Sequence, residues 1–297
     1  MWKGKALYER STRPDNYVDS SFLESLQRNA NVRIYSGLEL MRMSGSVLRR
    51  VSLVMGFVGI FVGIWRAEIG LVQLTILAYS STVVAYGCWV IYMRKQIKLE
   101  KGRVEQAESR AAWLRAHGRA TIKNGLIFTL LLMILSPVFR TLTEDTSLDT
   151  VWASSGILLL LGLVFNDYEV GISCNLPDGI PSIKCQPLSL NCAMLAAITL
   201  ASRLPTHFHV FALLSLAVNL FAFFPLLEAL LAGYRGQLTA LLVAVVFAIL
   251  GRLVSVLAVV SYGVVVVFVW LVCPWWLCFL QRHKNTLHGP WDEAVLK

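Results

Sequence analysis

Long apolar runs alternate with short charged segments along the whole chain, and that alternation predicts its architecture. A helix that crosses the ~30 Å hydrocarbon core of a bilayer needs about 20 mainly apolar residues. By that rule eight spans are expected, near 48–65, 71–93, 124–140, 151–168, 188–204, 207–232, 237–255 and 257–280. The last two are the least obvious, because 238–280 holds a single charge, Arg252. One helix of that length would be roughly 65 Å long at 1.5 Å per residue, more than twice the core. It must turn, and Gly251-Arg252 with Ser255 marks the expected place. Eight spans is the preferred reading, with seven or six as the alternatives.

The predicted fold is therefore an all-α integral membrane protein, a polytopic helical bundle. Its parts are a cytosolic N-terminal arm (1–47), a transmembrane bundle (48–280) and a cytosolic C-terminal tail (281–297). Composition agrees: 56% of the residues are hydrophobic, 15% are charged and the mean hydropathy is +0.62, whereas soluble domains run near 25% charged. Basic residues are retained on the cytoplasmic side of membranes. With eight spans and both termini cytosolic, the inside segments, with Arg49 and Arg50, hold 23 of the 27 Lys and Arg. Only Arg66, Arg140, Arg203 and Arg252 fall outside.

The net charge of +9 is spread over membrane-adjacent segments, which argues against nucleic acid as a partner. The cytosolic loop 94–123 is the most basic, with nine Lys or Arg against three Glu. Two readings stand for it: a topology signal only, or a surface that gathers anionic lipid. In the arm, Ser21-x-x-Glu24 is a capping-box pattern ahead of Phe22, Leu23 and Leu26. It predicts a short helix docked on the membrane surface or on a partner.

Recognisable chemistry is sparse. Polar groups within spans are costly and usually mark function, and here they are Gln73, Asn191, Asn219, Glu228 and Asp167. No repeated acidic pair, Gly-rich phosphate loop or zinc spacing occurs, so no catalytic residue, metal or cofactor is expected. The six cysteines are scattered and read as small buried hydrophobes. The acidic stretch 141–150 reads better as N-caps for the next helix, through Thr146, Ser147, Asp149 and Thr150, than as a metal site.

Several strings nevertheless converge: "LYER" (7–10), "PDNYVD" with "FLESL" (14–26), "SPVFRTLTEDTSLDT" (136–150), "DY" (167–168), "LSLN" (188–191), "LASRLP" (200–205) and "HGPWDEA" (288–294). Together and in order they resemble the PIG-C family, the C subunits of phosphatidylinositol N-acetylglucosaminyltransferase. The resemblance implies a multi-pass endoplasmic-reticulum protein in the complex that transfers GlcNAc from UDP-GlcNAc to phosphatidylinositol, the first step of GPI-anchor biosynthesis. It also implies that the sugar-nucleotide chemistry belongs to a partner, the catalytic glycosyltransferase. Independently, the cytosolic segments here are too short for a domain of that kind, since domains usually exceed 50 residues. The cytosolic loops 94–123 and 169–187 depart from the family pattern.

The expected role is non-catalytic: a membrane protein that scaffolds the complex and helps form its lipid-facing platform. The expected partners are the other subunits and phosphatidylinositol. Candidates for partner or headgroup contact are Asp15, Asn16, Tyr17, Asp19, Asp167, Tyr168, His288, Trp291, Asp292 and Glu293. Arg140 and Arg203, at lumenal ends of spans, are expected to fix helices in place. Trp291 suits either an interface core or a bilayer-surface anchor. Two other classes are the alternatives: a lipid or small-molecule transporter, and a self-sufficient lipid glycosyltransferase. The first needs internal repeats or paired broken helices, and the halves 1–145 and 146–297 show no convincing similarity.

Overall fold

The computed structural model describes residues 27–28, 35–99, 107–143, 145–168, 187–283 and 287–288. Among these, ten α-helices carry the fold: α1 Gly37–Trp65, α2 Leu71–Leu99, α3 Ala107–Thr141, α4 Leu148–Val164, α5 Pro187–Ala201, α6 His207–Val218, α7 Phe224–Leu230, α8 Arg235–Leu253, α9 Val256–Val267 and α10 Cys273–Gln281. Single π-helical turns, Asn219–Phe223 and Phe268–Val272, join α6 to α7 and α9 to α10. Each lies just ahead of a proline, Pro225 or Pro274, whose missing N–H removes a ladder bond. The helix continues with one widened turn.

Six of the eight expected spans are long and apolar enough to cross a membrane, with α6–α7 and α9–α10 each counted as one. The other two are shorter: α4 has 17 residues and α5 has 15, about 25 Å and 22 Å. They pack against each other in antiparallel fashion. Ser189 Oγ, at the start of α5, donates to the Gly162 carbonyl at 2.6 Å near the end of α4. At the opposite end of the pair, Thr143 and Ser202 share a hydroxyl hydrogen bond of 2.5 Å. A Cβ on Gly162 would lie 3.3 Å from the Ser189 carbonyl oxygen, so only a small residue permits this approach.

The expected turn in 238–280 is present. α8 stops at Leu253, and the Ser255 hydroxyl caps α9 by accepting from the Ala258 N–H at 3.3 Å. Ser147 caps α4 by accepting from the Thr150 N–H at 3.3 Å, as the capping reading of 141–150 requires. The basic segment 94–123 differs from the expected loop: α2 continues to Leu99 and α3 begins at Ala107, so most of it is helix. The capping-box pattern at Ser21–Glu24 and most of segment 169–187 lie outside the described residues.

Lipid tails are as apolar as leucine, so helices in a membrane associate through close van der Waals contact and interhelical hydrogen bonds. α1 supplies the first: 61% of its apolar window is buried, against 6% for α3 and for α9–α10, which makes α1 the axial helix. Gly56, Gly59 and Gly63 bring it against Val246, Ile249, Leu250 and Leu253 of α8. Phe57 meets Phe221, and Phe61 meets Trp152 of α4, edge to face with centroids 5.4 Å apart in both pairs.

Buried polar groups supply the second. Ser52 Oγ donates to the Leu48 carbonyl at 2.7 Å, so the 2.8 Å bond between Ser52 and Tyr262 has the phenol as donor. Asn219 Nδ2 reaches Ser81 Oγ at 2.9 Å and Thr82 Oγ1 at 2.8 Å, tying the first π turn to α2.

The two ends of the helical array meet. Gln27 and Arg28 (β1) pair antiparallel with Leu287 and His288 (β2), in the register Gln27↔His288 and Arg28↔Leu287. Beside them, Tyr35 N–H donates to Gln281 Oε1 at 2.9 Å, and Gln281 Nε2 returns a 3.4 Å bond to the Tyr35 carbonyl. The start of α1 and the end of α10 therefore share one side of the bundle.

Candidate functional site

Toward that same side, the body of α1 and the ends of three other helices converge on a polar recess. α1 contributes Ser46, Arg49 and Arg50, the segment after α4 contributes Asn166, Asp167 and Tyr168, α7 contributes Glu228, and α8 begins with Arg235. The interior volume is about 20 Å³, enough for a group the size of a water molecule. By the distribution of basic residues, this is the end predicted to be cytosolic.

The recess is organised by Glu228. Its Oε1 accepts from Arg49 Nε at 2.5 Å and its Oε2 from Arg50 Nη2 at 3.2 Å. Arg49 is 4% exposed and Glu228 8% exposed, so both charges lie largely out of water. An ion pair at that depth needs further hydrogen bonds to offset desolvation. Arg49 Nη1 makes one to Thr239 Oγ1 at 2.9 Å, which joins α1 to α8 as well as α7. Arg50 also lies over the Phe224 ring, 5.9 Å from its centroid, within cation–π range.

Tyr168 closes the other wall. Its phenol donates to the Leu163 carbonyl at 2.6 Å, a second, shorter bond to a carbonyl that also accepts from the Asn166 N–H at 3.4 Å. Burial raises its pKa, and the positive charge of Arg50 acts in the opposite direction. The Ser46 hydroxyl is likewise turned inward, donating to the Met43 carbonyl at 2.8 Å.

Of the residues expected from sequence, Asp167 and Tyr168 stand together in this recess. His288 belongs to β2, away from that lining, where its backbone pairs with Gln27. Asp15, Asn16, Tyr17, Asp19, Trp291, Asp292 and Glu293 lie outside the described residues. Arg203 is placed at the opposite end of the bundle. Its Nη2 donates to the Thr143 carbonyl at 2.7 Å, to the Thr146 carbonyl and to Thr146 Oγ1 at 3.1 Å, tying the α3–α4 turn to the end of α5. Arg140 is exposed in the last turn of α3.

Sequence reasoning does not single out Arg49, Arg50, Glu228 and Arg235 as a unit. Glu228 stands among the polar groups within spans, and its place in a hydrophobic run is the signal that could prompt a search for a basic partner. Among the described residues, no group of three or more His, Cys, Asp and Glu could hold a metal ion.

Comparison with known proteins covers almost the whole chain. The family model described as phosphatidylinositol N-acetylglucosaminyltransferase matches residues 2–292. The C subunit of that enzyme from Homo sapiens is 33% identical over 99% of this chain and 92% of its own length. The GPI2 subunit from Schizosaccharomyces pombe is 31% identical over 100% and 87%. A putative C subunit from Dictyostelium discoideum is 34% identical over 99% and 79%. No solved structure matches. A helical membrane bundle, matched from end to end by subunits of one enzyme, belongs to the family of phosphatidylinositol N-acetylglucosaminyltransferase C subunits.

Proposed function

We propose that this chain is a non-catalytic, multi-pass subunit of the endoplasmic-reticulum complex that transfers GlcNAc from UDP-GlcNAc to phosphatidylinositol. It scaffolds the complex, and the helix segments around Glu228 form part of the platform on which the lipid is presented to a catalytic partner. The contribution is positional: holding an acceptor in place lowers the entropic part of the barrier without any group on this chain entering the reaction.

The observation that carries this reading is the Arg49–Glu228–Arg50 cluster. It locks α1, α7 and α8 into one rigid end and leaves a small polar recess beside Asp167 and Tyr168, at the end predicted to face the cytosol. The side chains that line the recess are suited to charge recognition.

The test is to purify the chain alone and with its co-expressed partners, and to assay GlcNAc transfer from UDP-GlcNAc to phosphatidylinositol. Activity is expected only from the assembled complex. Robust transfer by the isolated chain would overturn the subunit reading.

A further inference from the structure

Of the five polar groups that the sequence places within spans, four are engaged in the folded chain. Glu228 meets Arg49 and Arg50, Asn219 meets Ser81 and Thr82, Gln73 Oε1 accepts from the Gly70 N–H at 3.3 Å, and Asp167 is engaged as well. Asn191 is the remaining one: its side chain is exposed and makes no hydrogen bond among the described residues.

The depth of Asn191 follows from the bond between Thr143 and Ser202, which lie just past the ends of α3 and α5. Both helices pack on α6. Eleven residues back from that bond, about 16 Å along a helix, α5 reaches Asn191 and α3 reaches Leu132, the middle residue of the apolar span Lys123–Thr141. A polar group at mid-span is costly unless it is paired, and lipid tails offer it no hydrogen bond.

The surroundings of Asn191 are open. Asn191, Leu195, Ile198 and Ser202 recur at i, i+4, i+7 and i+11, so they form one stripe of α5, turned away from the buried Ala193, Ala196 and Ala197. α3 carries the same spacing in Gly125, Thr129, Leu132 and Ser136, and Thr143 continues it. Where the two stripes end they are covered: Ser136, Thr143 and Ser202 are all buried. Toward the start of the span they are not. Every residue from 123 to 131 is exposed, Leu195 is 52% exposed, and a Cβ on Gly125 would meet nothing within 4 Å. α3 thus parts from the bundle at the depth of Asn191. Thr129 directs its hydroxyl to the Gly125 carbonyl at 2.8 Å, which leaves the Asn191 amide as the unpaired polar group at that depth.

We propose that this open face receives a transmembrane helix of another subunit, which packs against Gly125 and Leu195 and exchanges hydrogen bonds with the Asn191 amide. Small residues let helix backbones approach closely, and side-chain amides hydrogen-bond across helices in membranes. The incoming helix carries an amide, hydroxyl or carboxyl side chain at mid-span. An acyl chain would fill the same space but leave the amide unpaired. The inference rests on the subunit reading above, and it says where another subunit touches this chain.

The test uses the assembled complex, with the photoreactive residue p-benzoylphenylalanine in place of Leu195 and mass identification of what it captures on irradiation. A transmembrane peptide of another subunit is expected. Asn191→Leu should lower both that capture and recovery of the captured subunit by about threefold to tenfold, the worth of one interhelical hydrogen bond, and Asn191→Gln, which keeps the amide, should restore most of the loss. In the chain alone, Asn191→Leu should leave the thermal midpoint unchanged or higher, whereas a purely internal structural role would lower it. Gly125→Leu, which meets nothing within the chain, should likewise spare the isolated chain and weaken the complex, and it decides the matter should Asn191→Leu fail to insert. Capture of lipid only, or of a second copy of this chain, overturns the proposal, as does full recovery of the complex with both Asn191→Leu and Gly125→Leu. Those results in an active complex would leave the subunit reading standing. GlcNAc transfer by the isolated chain would overturn that reading instead, while a captured subunit helix would still support the contact at Asn191.

Discussion

Arg49 Nε and Glu228 Oε1, separated by 179 residues in sequence, stand 2.5 Å apart inside the bundle. Removing one partner of such a pair strands the other charge, which typically costs 3–5 kcal/mol. Glu228→Ala is therefore expected to destabilise the protein by about 4 kcal/mol, seen as a large fall in thermal midpoint of the detergent-solubilised chain. Arg50→Ala leaves the Arg49 bond in place and, of the two contacts to Glu228, removes only the longer 3.2 Å one, so it should cost less, about 1 kcal/mol, the scale of one hydrogen bond. Equal effects from the two substitutions would show that Glu228 is not held chiefly by Arg49.

Tyr168→Phe removes one hydrogen bond, from the phenol to the Leu163 carbonyl, and should cost about 1 kcal/mol at neutral pH. The pH dependence is more telling. Burial raises the phenol pKa in the folded protein, so the proton binds the folded state more tightly. The associated stability is complete below the ordinary phenol value of about 10 and is lost as pH rises through the raised one. The native chain should lose stability above about pH 10 more steeply than Tyr168→Phe, as followed by thermal unfolding across alkaline buffers.

Ala67 ends the turn after α1 with φ 60°, in the left-handed region that costs a residue with a Cβ about 1 kcal/mol or more. Its N–H bonds the Ile64 carbonyl at 2.9 Å, and the Glu68 N–H bonds the Gly63 carbonyl at 2.9 Å, a helix-ending pattern usually occupied by glycine. Ala67→Gly should raise stability by about 0.5 to 1 kcal/mol, with the unfolded chain's extra freedom offsetting part of the gain. A lower thermal midpoint would contradict it.

Trp291, in the tail beyond β2, is expected to dock on a partner. Trp291→Ala should lower recovery of the assembled complex in a pull-down while leaving membrane insertion intact. Gln281→Ala, which removes both bonds to the Tyr35 main chain, should act in the same direction but more weakly. Unchanged recovery with both substitutions would count against a docking role for this end.

Much of the architecture was legible because length, charge and caps are local. The break at Ser255, the cap at Ser147 and the order of apolar helices all follow from nearby residues. The shortness of α4 and α5 was harder to see: the expected spans run past the last residues of both helices, to Tyr168 after α4 and to Leu204 after α5, and apolarity alone does not end a helix. The recess was legible only in part. Asp167 and Tyr168 could be chosen because they close a span with polar groups. Glu228 stands out as a charge within a hydrophobic run, but Arg49 resembles an ordinary interfacial residue, and nothing in the sequence between them specifies that α1 and α7 meet.

The pairing of β1 with β2 also has a bearing on biogenesis. Among the described residues β2 is the last element to leave the ribosome, so Gln27 and Arg28 can find their partners only after the helices between them have been made and placed. A truncated chain, or one inserted with an odd number of crossings, would carry its two ends on opposite sides and could not form the pair. A partner that docked on the joined ends would thus select completed chains and pass over unfinished ones.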